Sequence, residues 1–137
     1  LITLNLSENN LGRLPSEIGN LSKLMSLGLN SNQLEILPPE IGNLQNLERL
    51  HIYRNNLSEL PTEIGHLSNL SALYIYGNPL IAPSDYVINE GTPAILEYLR
   101  NKEMWHLLHM AIGVISALAS FLLFASVFLR SRNSNSA

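Results

Sequence analysis

Apolar residues recur in one frame along the amino-terminal part of the chain: Leu1, Leu4, Leu6 and Leu11, then Leu24, Leu27, Leu29 and Leu34, then Leu47, Leu50, Ile52 and Leu57, then Leu70, Leu73, Ile75 and Leu80. The frame advances by 23 residues without slippage. Within it Leu4-Asn5-Leu6 and its counterparts alternate with period two, so the leucines turn to one side of an extended strand and the intervening residues to the other. The pattern predicts strands near 3–7, 26–30, 49–53 and 72–76, in one parallel sheet because each opens at the same point of a repeated unit. A coiled coil is excluded. The step is not a whole number of heptads, and Pro15, Pro38, Pro39 and Pro61, with Gly19, Gly42 and Gly65, would break a continuous helix in every unit.

Three residues beyond the last strand leucine of each unit stands an asparagine: Asn9, Asn32, Asn55 and Asn78. A polar side chain flanked by buried leucines must be hydrogen-bonded, and an amide offers donors and an acceptor to the backbone of adjoining coils. A stacked, buried ladder of structural amides is expected. The second half of each unit reads L-x-x-L-P-x-E-I-G-x-L, as in Leu14-Pro15, Glu17-Ile18-Gly19 and Leu21, and again from Leu37 to Leu44 and from Leu60 to Leu67. Over residues 1–81 this resembles the short leucine-rich repeats of Ras-suppressor-like and plant intracellular Ras-group-related proteins, which also occur in many bacterial repeat proteins. The resemblance implies an α/β solenoid with parallel strands on its concave side and short helical turns on its convex side. Pro would open each turn, and Gly would allow a left-handed exit from it. About biochemical activity the resemblance is nearly silent, because fold does not imply function.

After Leu80 the frame decays. Residues 81–89 have a loop composition with Pro83, Ser84 and Asp85. Gly91-Thr92-Pro93 then signals a helix with Thr92 as cap, and Ile95, Leu96 and Leu99 lie on one face. Residues 82–103 are therefore assigned as a capping segment that covers the end of the core. Met110 to Leu129 carry no charge over 20 residues. At about 1.5 Å per residue such a helix spans roughly 30 Å, the thickness of a bilayer core. A transmembrane helix is expected over 104–130, with Trp105, Arg130 and Arg132 as interfacial anchors and 131–137 as a disordered tail. A helix buried against protein is the alternative. Gly113 and Ala117 have a small-xxx-small spacing that would allow a weak helix–helix dimer.

Composition adds boundaries. A formal charge of -3 gives no reason to expect nucleic-acid binding or electrostatic docking on a membrane. The absence of cysteine leans toward a reducing compartment, whereas the sequons at Asn5, Asn20, Asn56 and Asn69 lean the other way. Arg100 and Lys102 before the span balance Arg130 and Arg132 after it. With that tie, the cysteine content and the intracellular repeat class favour a single-pass membrane protein with cytoplasmic repeats. Leu1 already occupies a consensus repeat position, so the chain reads as a fragment of a longer protein.

No catalytic constellation emerges, and no cofactor or metal is expected. Glu17, Glu40 and Glu63 recur at the repeat period as features of the turn, while His106 and His109 lack a third ligand nearby. Outward strand positions hold Thr3, Asn5 and Ser7, then Ser26, Gly28 and Asn30, then Arg49, His51 and Tyr53, then Ala72, Tyr74 and Tyr76. Aromatic and arginine side chains dominate binding hot spots, so Arg49, His51, Tyr53, Arg54, Tyr74 and Tyr76 are the candidate partner-binding residues. Tyrosine also suits an exposed strand without any such role. The expected function is that of a membrane-anchored interaction module that binds a protein partner on its concave face, in signalling or regulation. The competing reading is a recognition arm of a larger enzyme or receptor whose catalytic domain lies upstream.

Overall fold

The computed structural model describes residues 1–102 together with Met104, Leu107, Met110, Ala111 and Val114. The chain divides into a unit from Leu1 to Lys102 and a second from Glu103 to Ala137. In the first unit, strands β1 (Thr3–Asn5), β2 (Ser26–Gly28), β3 (Arg49–His51) and β4 (Ala72–Tyr74) form one sheet in that order. All pairs are parallel and in register, with Leu4, Leu27, Leu50 and Leu73 opposite one another. The strands are shorter than the alternation predicts, but backbone pairing continues past them: Glu8 N donates to Asn30 O, Ser31 N to Tyr53 O and Arg54 N to Tyr76 O.

The first three coils return through 3-10 helices: Ser16–Asn20, Pro39–Asn43 and Thr62–His66. Leu24, Leu27, Leu29, Leu34, Leu44, Leu47, Leu50, Ile52, Leu57, Ile64 and Leu67 have no exposed surface, so the repeated frame is the core. Burying one such side chain is worth about 1.5–3 kcal/mol relative to exposure, and it is only reached when a neighbouring coil covers it. The first coil accordingly differs, with Leu4, Leu6 and Leu11 only half-buried.

The turn chemistry corrects one expectation. Gly19, Gly42 and Gly65 sit inside the 3-10 helices rather than in left-handed exits; positive φ occurs among the glycines at Gly77 and Gly91. Their role is close approach. A Cβ on Gly19 would stand 2.5 Å from the Glu40 carbonyl oxygen, and one on Gly42 2.6 Å from Glu63 Cβ. The left-handed residues are instead Glu8, Ser31, Arg54 and Gly77, with φ of 58, 55, 53 and 69°. They recur at the repeat period just before each ladder asparagine, and they end the strand by turning the chain back toward the core.

The four asparagines share one pattern with different completeness. Asn55 Nδ2 donates to Leu29 O and Ile52 O, both at 3.0 Å, and its Oδ1 accepts from Leu34 N at 3.0 Å. Asn32 bonds in the same way to Leu6, Leu29 and Leu11, and Asn78 to Ile52, Ile75 and Leu57. Asn32 and Asn55 are buried and Asn78 is half-buried. Asn9 differs from the expectation of burial: it is exposed and reaches only Leu6 O and Ser7 O, because no coil precedes it in the structure.

The end of the sheet is covered in two steps. Residues expected as loop contain a short helix, α1 (Asp85–Asn89), whose Val87 and Ile88 pack on the core. One helical turn carries too few residues for periodicity to reveal it. A second helix, α2, spans 92–102 and buries Ile95, Leu96 and Leu99. Thr92 does not cap it as expected. The Gly91 carbonyl accepts the Ile95 N–H, while Thr92 Oγ1 accepts from Leu73 N at 3.0 Å, so the hydroxyl satisfies the edge of β4 instead.

The expected span from Met110 to Leu129, the pair Gly113 and Ala117, and His106 and His109 fall mostly or wholly outside the described residues. Among the described residues no helix is long and apolar enough to cross a membrane. Met104, Leu107, Met110 and Val114 are helical and expose their side chains.

Candidate functional site

Beside the column Thr3, Ser26, Arg49 and Ala72, the solvent face of the sheet carries two further columns of side chains, because alternate strand residues project to the same side. One column holds Asn5, Gly28, His51 and Tyr74, and the other Ser7, Asn30, Tyr53 and Tyr76, each at the repeat period. In-register parallel pairing stacks equivalent residues about 4.8 Å apart, the separation at which flat rings touch. His51 lies 4.6 Å from Tyr74 with ring planes 25° apart, and Tyr53 lies 4.5 Å from Tyr76 at 13°. His51 meets Tyr53 edge-on at 6.5 Å, which links the columns.

Stacking changes which of the expected residues are accessible. Tyr74 and Tyr76 are 44 % and 56 % exposed, while His51 and Tyr53, stacked against them from the neighbouring coil, are half-buried. Arg49 is exposed, with its guanidinium 3.9 Å from Glu48. Arg54 is exposed at a left-handed position and lies against Gly77, where an added Cβ would come 3.2 Å from Arg54 Cγ. The structure thus places His51, Tyr53, Tyr74 and Tyr76 in one cluster, with both arginines on the same two coils.

The other half of this face is polar and recessed. Asn5, Ser7, Gly28, Asn30 and His51 line a depression of about 200 Å³. Ser7 Oγ donates to Asn30 Oδ1 at 2.6 Å, and Asn5 Oδ1 accepts from Ser7 N at 3.0 Å. These small residues were not among the candidates. Their signal in the sequence is Gly28, a glycine where the equivalent positions hold Asn5, His51 and Tyr74.

A recurring strand–asparagine–turn unit with an amide ladder defines a leucine-rich repeat architecture. A model described as leucine-rich repeat region matches residues 16–99, and one described as leucine rich repeat matches residues 1–21. The chain belongs to the leucine-rich repeat family. Among solved structures it is similar to a leucine-rich repeat protein of Leptospira interrogans, at 40 % identity and a TM-score of 0.62 over 69 % of this chain and 24 % of that one. It is also similar to a chain in the BIR3–SERK2 complex of Arabidopsis thaliana, at 34 % identity and 0.54 over 59 % of this chain and 45 % of that one. The BIR2 ectodomain of Arabidopsis thaliana matches at 32 % identity and 0.54, over 59 % and 44 % of the two chains. The match therefore spans less than half the length of each of these proteins. No curated protein matches.

Repeat domains of this family are generally protein-interaction modules, and the solvent face of the sheet has the chemistry for it. Rings supply contact area at low entropic cost, and a solenoid face supplies it on a rigid backbone.

Proposed function

We propose that this chain is a protein-binding module of the short 23-residue repeat class, and that a protein partner docks on the sheet face over β3 and β4. The observation that carries the reading is the pair of ring stacks, His51–Tyr74 and Tyr53–Tyr76, confined to two adjacent coils and flanked by Arg49 and Arg54. A repeat-wide habit would place rings on every coil. Here the equivalent residues of the first two coils are Asn5, Gly28, Ser7 and Asn30. The test is quantitative binding of an identified partner to Tyr74→Ala and Tyr76→Ala. Each loses about 2 kcal/mol of affinity, a typical hot-spot effect. Unchanged affinity in both variants refutes the assignment of this face.

The module is membrane-anchored in this reading. The support is the uncharged run Met110 to Leu129, together with the exposed apolar side chains of Met104, Leu107, Met110 and Val114. The cytoplasmic side is proposed for the repeats on the absence of cysteine. A second reading is favoured by the plant ectodomain likeness and by the partial coverage of these three similar chains: the repeats serve as the recognition arm of a longer receptor or enzyme.

A further inference from the structure

Beyond the ladder asparagines a second run of backbone bonds joins successive coils, and it is interrupted once. Glu35 N donates to Gly12 O at 3.3 Å between the first and second coils, where Arg13 and Ile36 also form a parallel bridge. Ile81 N donates to Ser58 O at 3.0 Å between the third and fourth coils. The equivalent bond between the second and third would run from Ser58 N to Glu35 O. Among the described residues it is missing, although Asn56 N still donates to Leu34 O at 2.9 Å just before it. The interruption coincides with a depression of about 310 Å³, lined by Glu35, Ile36 and Pro39 of the second coil and by Ser58, Glu59 and Pro61 of the third.

The lining combines apolar surface with acceptors. Ile36 is 67 % exposed, and its equivalents are Arg13 and Glu59, so the repeat itself does not require an apolar side chain here. Glu59 is already engaged, because its Oε2 accepts from Lys102 Nζ at 3.2 Å. Glu35 is exposed, and among the described residues nothing pairs with its carboxylate or bonds its carbonyl oxygen. The depression thus offers one uncompensated negative charge beside an apolar surface. An arginine lays its aliphatic stem along such a surface, and its guanidinium presents several N–H donors in one plane and is more weakly hydrated than an ammonium.

We infer that this depression receives an arginine side chain from a protein partner, at a site separate from the tyrosine face. The stem lies over Ile36 and the two prolines, and the guanidinium donates to the Glu35 carboxylate and to the Glu35 carbonyl oxygen that lacks its inter-coil donor. Lys102 offsets the charge of Glu59, so the site takes one incoming charge and is not a general trap for cations. The inference does not depend on the reading of the sheet face.

The test uses the full chain in mild detergent, titrated with N-acetyl-arginine methylamide, its neutral isostere N-acetyl-citrulline methylamide, and N-acetyl-lysine methylamide. Binding is followed by NMR at the Ser58 amide and the Ile36 methyl groups. The arginine probe should shift both saturably and bind about threefold tighter than the citrulline probe, the scale of an exposed ion pair. That margin should close in about 1 M salt, where the charges are screened. The lysine probe should bind more weakly than the arginine probe. Glu35→Gln keeps the shape and removes the charge, and should lower the arginine probe to the affinity of the citrulline probe. Ile36→Ser should weaken all three. Both side chains are exposed, so both variants should keep the dispersed amide spectrum of the folded chain. Lys102→Gln releases Glu59 and should tighten the arginine probe by about threefold. Equal binding of the arginine and citrulline probes at low salt, shifts away from Ser58 and Ile36, or an arginine affinity that survives Glu35→Gln overturns the inference. Tyr74→Ala and Tyr76→Ala should leave the arginine probe unaffected; loss of its binding in either variant would place the probe on the tyrosine face and remove the site.

Discussion

Replacing Asn55 by alanine should cost far more stability than replacing Asn9, although the two occupy the same place in the repeat. Asn55 is 4 % exposed and ties its own coil to the preceding one through Leu29 O, Ile52 O and Leu34 N. The carbonyls are each shared with another ladder amide, Leu29 with Asn32 and Ile52 with Asn78, and keep one donor after truncation. The Leu34 N–H does not. Its acceptor is Asn55 Oδ1, and Leu34 has no exposed surface, so no water replaces the lost partner. An orphaned buried donor costs about 1–3 kcal/mol, and the two lost bonds to shared carbonyls add about 0.5–1.5 kcal/mol each. The sum is about 4 kcal/mol. Asn9 bonds only to Leu6 O and Ser7 O in an exposed setting, where water substitutes, and its truncation should cost about 0.5 kcal/mol or less. Urea unfolding of the full chain in mild detergent, followed by circular dichroism, measures both. Costs for Asn55→Ala and Asn9→Ala that agree within about 0.5 kcal/mol would refute the ladder as the account of these residues.

Ser31→Gly should stabilise the chain by about 1 kcal/mol, because Ser31 holds a φ of 55° that glycine adopts without the Cβ penalty; a lowered urea midpoint would contradict this. Gly42→Ala should destabilise by more than about 2 kcal/mol, since the added Cβ meets Glu63 Cβ at 2.6 Å and the Glu63 carbonyl oxygen at 3.0 Å, and the coils must separate. A cost under about 0.5 kcal/mol in the same unfolding assay would show that close approach is not what this glycine provides. The whole protein should resist alkaline carbonate extraction from membranes while a chain ending at Lys102 does not; release of the whole protein sinks the membrane anchor. If the repeats face the lumen or exterior, the exposed sequons at Asn20 and Asn56 should add glycans, so an unmodified mass from a glycosylating host supports the cytoplasmic side.

Much of the fold was legible because one physical demand repeats. Every coil must present the same leucines to its neighbours, so the 23-residue frame located the strands, their parallel order and the core together. What the frame could not show was anything depending on a neighbour's presence. Asn9 has the ladder's sequence context and lacks its burial, since burial comes from the preceding coil. The glycines in the 3-10 helices looked like turn exits and prove to be contact points, a distinction carried by the distance to Glu40 and Glu63 rather than by residue type. The left-handed positions did leave a trace, because Gly77 occupies in the last coil the place held by Glu8, Ser31 and Arg54. A glycine in one of four equivalent positions is a faint signal beside glutamate, serine and arginine, which report their own chemistry first.

The candidate site shows why such a face can be altered without disturbing the solenoid. Core leucines interlock with coils on both sides, whereas the solvent-face columns touch chiefly the rung above and the rung below. Within a column, the property that matters is therefore the order of residues along the solenoid and not the composition of any one strand. Tyr74 beside His51 makes a ring stack, and the same His51 beside Gly28 lines a depression. Exposed tyrosines alone predict a flat patch. Adjacent rungs of glycine and ring convert that patch into a recess with an aromatic side, and a recess can discriminate between side chains where a flat patch cannot.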